Sequence, residues 1–146
     1  MTDLRPFVSD DEIAAIARGV IDLTLPKPRW THRAHFACAL WLLAGRPDLD
    51  VPHAMPGLIR AYNEATGVAN TDSGGHHETI TQASLRAASA FLKARGAAPL
   101  FVVCNALMQS PFGNKDWLLA YWSKERLFSV EARRAWVEPD LAPLPF

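Results

Sequence analysis

Four of the five histidines in this chain fall in two short motifs that could bind a metal ion or transfer protons. The first motif is W-T-H-R-A-H at residues 30–35, and the second is G-H-H-E-T-I-T at residues 75–81. Neutral imidazole is the commonest biological metal ligand, and a carboxylate often completes such sites. Two or three histidines with one glutamate leave an open coordination position, which is typical of catalytic metal sites.

Helical spacing places these histidines beside apolar stripes rather than towards solvent. His32 and His35 are three residues apart, so they share a helix face that continues with Ala39. In the second motif His77 lies three residues before Ile80, which begins the apolar stripe of its own helix. Both motifs are therefore predicted to face the interior of the fold.

The expected topology brings the two motifs together. In an up-down-up-down bundle the second and fourth helices are parallel, so their N-termini lie at the same end. We therefore predict that His32, His35 and His77 bind one divalent metal ion, namely zinc, iron, nickel or manganese. Glu78 is the predicted catalytic residue, as a fourth ligand, as a general base on bound water, or as an acceptor that orients an imidazole.

A pocket lined by Trp30, Tyr62 and Thr81 is predicted around this metal. A metal-bound water with a lowered pKa serves hydrolysis or hydration, so a metal-dependent hydrolase or hydratase acting on a small molecule is the first hypothesis. An iron site that uses oxygen is also open. No role is predicted for His53 or His76.

Two alternatives need no metal, because His-x-x-His is a weak motif and histidines at helix starts often bond only to their neighbours. In one alternative, a polar pocket at the helix starts binds a small anion or carboxylate without catalysis. In the other, the protein is structural and self-associates as a homo-oligomer. The loop at residues 73–75 lacks the lysine of phosphate-binding loops, so no nucleotide cofactor is expected.

Composition argues against several other classes of protein. The chain has 146 residues, of which 49% are hydrophobic and 21% are charged, and this fits one folded domain over residues 1–146. Its 15 basic and 15 acidic residues cancel, so neither nucleic acid nor an anionic membrane is an expected partner. Two cysteines and an N-terminus unlike a signal peptide predict a cytoplasmic protein.

The apolar periodicity predicts an all-α, single-domain bundle of five to seven helices, with an up-down core and extra short C-terminal helices. The first helix is expected to begin near residue 10 and to end before the prolines at 26 and 28. Further helices are expected at about residues 31–45, 51–66, 77–94 and 99–108, with short ones at 115–122 and 129–136. Residues 138–146 are expected to pack irregularly against the body.

The histidine motifs and two later stretches together resemble a known pattern. The later stretches are R-L-F-S at residues 126–129 and W-V-E-P-D at residues 136–140. From residue 30 to the C-terminus, the chain resembles a family of small bacterial all-helical proteins with no known activity. The resemblance implies that the two histidine motifs act together. The family usually has an aromatic residue in place of His76, which leaves His32, His35 and His77 as the implied ligands.

Overall fold

Seven α-helices and three short 3₁₀-helices make up the regular structure of residues 5–146, which the computed structural model describes and which contain no strand. The predicted all-α bundle is therefore confirmed. Residues 1–4 lie outside the described part. They belong to the N-terminal stretch, which the sequence predicts is not a signal peptide. The α-helices are α1 (Asp10–Ile21), α2 (His32–Gly45), α3 (Val51–Ala65), α4 (Glu78–Arg95), α5 (Leu100–Gln109), α6 (Lys124–Leu127) and α7 (Val130–Arg134). The 3₁₀-helices are Lys27–Arg29, Pro111–Gly113 and Trp117–Ala120.

Side-chain caps fix the starts of the two helices that carry the histidine motifs. The Thr31 hydroxyl accepts a hydrogen bond from the Ala34 N–H at 3.3 Å, and α2 begins at the next residue. The His77 Nδ1 accepts a hydrogen bond from the Ile80 N–H at 3.2 Å, so an imidazole caps α4. Capping satisfies backbone donors that have no partner within the helix. Both helices therefore start within a residue of the positions that the sequence predicts.

Helix α2 lies at the centre of the molecule and contacts α1, α3, α4 and α5. Its first half is rich in small buried residues, including Ala34, Ala37 and Ala39, and these allow neighbouring helices to approach closely. Leu40 and Leu42 are fully buried farther along. A helix that is apolar on nearly all sides is typical of the centre of a core.

The chain turns sharply between α4 and α5. Gly96 directly follows α4 with a φ of 54°, a backbone conformation that glycine adopts more readily than other residues. The two helices are bent by 118° relative to each other. Within residues 5–146 no single helix is long and apolar enough to cross a membrane. Of the described helices, only α4 and α5 taken together, as this bent pair, have the length and apolar composition of a membrane span.

The short C-terminal helices differ from the predicted ones. The region predicted as a helix at 115–122 contains only the 3₁₀ turn Trp117–Ala120, and α6 was not predicted. Helix α7 ends at Arg134 because Ala135 is extended, with φ −152° and ψ 163°. This extension places the Val137 N–H against the Thr79 hydroxyl at 3.2 Å. A contact with a distant residue therefore ends α7 earlier than the local sequence indicates.

The C-terminal residues 138–146 have no regular structure and pack against the body, as predicted. The Leu141 N–H donates to the Tyr121 carbonyl at 2.9 Å, and the Ser123 hydroxyl donates to Asp140 at 2.7 Å. Phe146 contacts the ring of Phe112, with ring centres 5.6 Å apart. These contacts hold the C-terminal segment beside the short helices.

Candidate functional site

A cavity of about 400 Å³ lies between α2, α3 and α4 and the loop that precedes α4. Small-molecule sites typically have volumes of about 300–1,000 Å³, so this cavity has a suitable size. Its apolar wall consists of Ala39, Met55, Ile59, Val68, Ile80 and Leu85. Its aromatic and polar wall consists of Trp30, His35, Asn63, His76, His77, Thr81 and Ser84, with Gly75 between them. The cavity therefore combines a large apolar surface with a few polar groups.

His35 presents an uncharged imidazole to this cavity. Its ring stacks on Trp30 with ring centres 3.8 Å apart and an interplanar angle of 24°. Burial, together with the nearby His32, lowers the pKa of His35 to about 4. Neither ring nitrogen of His35 forms a hydrogen bond with any residue in the described part of the chain. At neutral pH the ring therefore offers one free donor and one free acceptor.

Two hydroxyl groups of α4 also line the cavity without a partner. Thr81 and Ser84 are three residues apart and so lie on the same helix face. Neither hydroxyl group forms a hydrogen bond within residues 5–146. The sequence analysis predicted Thr81 as a pocket residue but missed Ser84, which the helical spacing from Thr81 could have indicated.

His77 lines the same cavity, but both of its ring nitrogens are engaged by the protein. Nε2–H donates to the Leu127 carbonyl at 2.7 Å, and Nδ1 accepts from the Ile80 N–H. Burial lowers the pKa of His77 in spite of the hydrogen bond to Leu127, so the ring is neutral. His77 therefore links the start of α4 to α6 and has no free nitrogen for a metal ion.

His32 is not on the cavity wall. Its Nε2–H donates to the Phe112 carbonyl at 2.9 Å, which joins α2 to the 3₁₀-helix Pro111–Gly113. Within the described residues 5–146, no group of three or more His, Cys, Asp or Glu side chains is arranged to hold a metal ion. The three predicted ligands, His32, His35 and His77, thus do not form such a group, although His35 and His77 share the cavity wall and His32 lies near His35. Distant carbonyl groups engage the rings of His32 and His77. A metal at this end of the bundle stays a prediction.

Glu78, the predicted catalytic residue, belongs to a hydrogen-bonded chain beside the cavity. The His76 Nε2–H donates to Glu78 Oε1 at 2.9 Å, and Gln82 donates to Glu78 Oε2 at 3.3 Å. Gln82 also donates to the Pro52 carbonyl at 2.7 Å. That carbonyl lacks its usual helical donor, because Pro56 has no N–H. Glu78 therefore orients His76, and it does not line the cavity.

His76 is the cavity residue that the sequence analysis left without a role. It is 5% exposed, and its Nδ1 is buried without a hydrogen-bond partner among the described residues. Burial lowers the pKa of His76 more than the hydrogen bond to Glu78 raises it, so the ring is neutral. A buried unpaired nitrogen is uncommon in native structures.

The loop before α4 depends on a glycine. Gly75 has a φ of 78°, and a Cβ at this position would lie 2.6 Å from the Ala69 carbonyl oxygen. The Asn70 side chain closes the loop, because its Oδ1 accepts from the His76 N–H at 3.0 Å and from Asn63 at 3.1 Å. This loop conformation places both histidines of the second motif on the cavity wall.

Tyr62, predicted as a pocket residue, lies behind the cavity wall and not on it. Its side chain is fully buried, and its hydroxyl group donates to the Leu25 carbonyl at 2.6 Å. The ring contacts Trp30 with ring centres 5.3 Å apart. The prediction that Tyr62 lines the pocket is corrected accordingly. Its ring supports Trp30 from behind the wall, and its hydroxyl group anchors the segment after α1. His53, for which no role was predicted, is exposed on α3.

Within the second histidine motif, Thr79 does not line the cavity but faces the residues that directly follow α7. Thr79 is fully buried, and its hydroxyl group donates to the Ala135 carbonyl at 2.9 Å and accepts from the Val137 N–H. Arg133 donates to the carbonyl groups of Gly75 and His76 at 3.2 and 3.4 Å. The second histidine motif, at residues 75–81, therefore also attaches the segment around α7 to the start of α4.

Comparisons with known proteins add no assignment: neither a protein family, nor a curated protein, nor a solved structure matches the chain. The resemblance to small bacterial proteins therefore stays a prediction.

Proposed function

We propose that the protein binds a small, mostly apolar organic molecule in the cavity between α2, α3 and α4. The observation that carries this proposal is that Nδ1 of His76 is buried without a partner at this cavity, where the side chains of His35, Thr81 and Ser84 also form no hydrogen bond to a described residue. Buried polar groups normally have partners, and unpaired ones are costly. A ligand with polar atoms at one end would supply those partners.

The remaining walls suit the apolar part of such a ligand. Met55, Ile59 and Leu85 are each at most 5% exposed and belong to the apolar wall of the cavity. Each Å² of apolar surface removed from water contributes about 25 cal/mol. Ligand sites are generally lined in this way, with few polar groups that fix orientation.

A metal-dependent hydrolase or hydratase has weaker support in this cavity. For Nδ1 of His77 to bind a metal ion, the ring would have to give up its hydrogen bond from the Ile80 N–H, whereas Nε2–H could stay on the Leu127 carbonyl. That loss would leave the N–H at the start of α4 without its partner, which costs about 1–3 kcal/mol if the group is buried. Ligand binding needs no such rearrangement, so it is the preferred proposal.

The test is a cavity-filling substitution with a matched control on the same helix. Ser84→Leu places a larger side chain in the cavity, whereas Ser89→Leu changes a partly buried serine of α4 that does not line it. A library of small organic fragments is screened by ligand-observed NMR and by thermal unfolding. A ligand specific to the folded state raises the melting temperature. We expect hits for the natural sequence and for Ser89→Leu that disappear in Ser84→Leu.

Absence of any fragment hit, or hits that survive equally in Ser84→Leu, would contradict the proposal. The same screen includes zinc, iron, nickel and manganese ions. Saturable stabilisation by one of these ions, lost in His35→Ala and in His77→Ala, would support the predicted metal centre instead.

A further inference from the structure

The walls of the cavity carry no fixed charge. Among the described residues that line it, none is Asp, Glu, Lys or Arg, and the titratable ones are His35, His76 and His77. Burial is the largest influence on all three imidazoles, and it lowers the pKa of each. A charged ligand would therefore find no opposite charge on the cavity wall itself to offset the loss of its hydration, which is unfavourable.

Three charged groups influence the cavity imidazoles from outside the wall, namely Glu78, Arg133 and the exposed Arg60. The Glu78 carboxyl group accepts hydrogen bonds from His76 and Gln82, and Arg133 donates to backbone carbonyl groups of the loop before α4. The N–H of Ile80 is bonded to the His77 ring. An anion at the start of α4 would thus compete with the His77 ring and lie near Glu78. These features argue against the carboxylate-binding alternative of the sequence analysis.

The free polar groups of the cavity both donate and accept hydrogen bonds. Neutral His35 has one nitrogen of each kind, and the hydroxyl groups of Thr81 and Ser84 can act in either sense. The His35 ring is held in place by its stack on Trp30, so its nitrogens have a fixed direction. A ligand group that only accepts hydrogen bonds, such as an ester, would leave the acceptor atoms of these three side chains without a partner.

We infer that the ligand is an uncharged molecule whose polar end both donates and accepts hydrogen bonds, as a primary carboxamide does, and that His35 determines this specificity. The inference rests on the proposed function and names the class of ligand. Trp30 holds the His35 ring, and Thr81 and Ser84 face the polar end from α4. Met55, Ile59 and Leu85 contact the apolar remainder.

The experiment compares compounds that differ only in their polar end. Benzamide, methyl benzoate and benzoate form one series, and 3-phenylpropionamide, its methyl ester and its carboxylate form a second. Affinities are measured by titration calorimetry and ligand-observed NMR at pH 7. We expect each amide to bind at least tenfold more tightly than its carboxylate and several-fold more tightly than its ester.

Two variants assign this preference to His35. His35→Phe keeps a ring against Trp30 but removes both nitrogens, so amide affinity should fall about tenfold while ester affinity changes less than twofold. His53→Phe, an exposed change on α3, should leave the preference unaltered. Nitrogen-15 NMR of the natural protein gives a readout without substitution, because the ring shifts of His35 should report a neutral imidazole and move when an amide binds.

The outcomes separate the inference from the proposed function. If amides and carboxylates bind equally well, or if His35→Phe retains the amide preference, the inference about the ligand class is wrong. The proposal that the cavity binds a small molecule is then unaffected. If no member of either series binds and the fragment screen finds no ligand lost in Ser84→Leu, the proposed function fails as well.

Discussion

Two threonines on the first turns of α4 have the same side chain and opposite environments. Thr79 is fully buried, and its hydroxyl group bonds to Ala135 and Val137 of the C-terminal segment. Thr81, two residues later, lines the cavity and forms no hydrogen bond within residues 5–146. One face of α4 therefore holds the fold together, whereas the other retains free hydrogen-bonding capacity.

The histidines show the same division. His77 uses both ring nitrogens to join α4 to α6 and to cap its own helix. His35 stacks on Trp30 and has neither nitrogen bonded to the described part of the chain. Histidines of the two motifs thus differ in whether their ring nitrogens are engaged by the protein, which neither residue type nor motif membership indicates.

The largest expected effect is on stability, from Thr79→Val. The change keeps the shape of the side chain but leaves the Ala135 carbonyl and the Val137 N–H without their partner. Each unpaired buried group costs about 1–3 kcal/mol, so the free energy of unfolding should fall by about 3–4 kcal/mol. Chemical denaturation measures this change.

The matched control for this prediction is Thr81→Val. Because the Thr81 hydroxyl group has no partner in the described structure, its removal should change the free energy of unfolding by less than about 0.5 kcal/mol. Equal losses in the two variants would mean that Thr81 is structural, and the distinction between the two faces of α4 would not hold.

The next effect is a dependence of stability on pH that originates at His35. Burial lowers its pKa from the 6.5 of an unperturbed histidine to about 4 in the folded protein, so the unfolded chain binds the proton more strongly. Stability is therefore complete above pH 6.5 and is lost as the pH falls towards 4, by up to about 3 kcal/mol. Denaturation curves at several pH values should show this loss for the natural sequence.

His35→Phe removes this contribution while keeping an aromatic ring against Trp30. The variant should lose less stability than the natural sequence between pH 6.5 and 4, and the remaining loss belongs to groups such as His76 and His77. Identical pH profiles for the two proteins would show that His35 is not the buried neutral group that the cavity requires.

The smallest effect concerns the side of α4 that faces α3. Gln82→Ala should cost about 1 kcal/mol, because the Pro52 carbonyl loses the donor that replaces the missing N–H of Pro56. In a Pro56→Ala background the new N–H can bond to Pro52, so the same Gln82 change should cost less. A double-mutant cycle measures the difference. Additive costs would show that Gln82 does not replace this helical donor.

The sequence predicted the fold more fully than the site. Local signals give the helix limits well, because Thr31 caps α2 and the prolines at 26 and 28 follow α1. In the C-terminal third they indicate the start of α7, which Ser129 caps, but they miss α6, which Ser123 caps, and the Thr79 contact at Val137 that interrupts the helical pattern. Of the predicted pocket residues, Trp30 and Thr81 line the cavity.

Capping and periodicity act over a few residues, so the chain alone indicates the set of helices and the histidines near the starts of two of them. Which polar groups remain free depends instead on contacts between residues far apart in the chain. The partner of His32 is 80 residues away in the chain, that of the His77 Nε2 is 50 residues away, and that of the Thr79 hydroxyl is 56 residues away. No local pattern indicates such partners, since they meet only when residues 112–135 pack against the starts of α2 and α4.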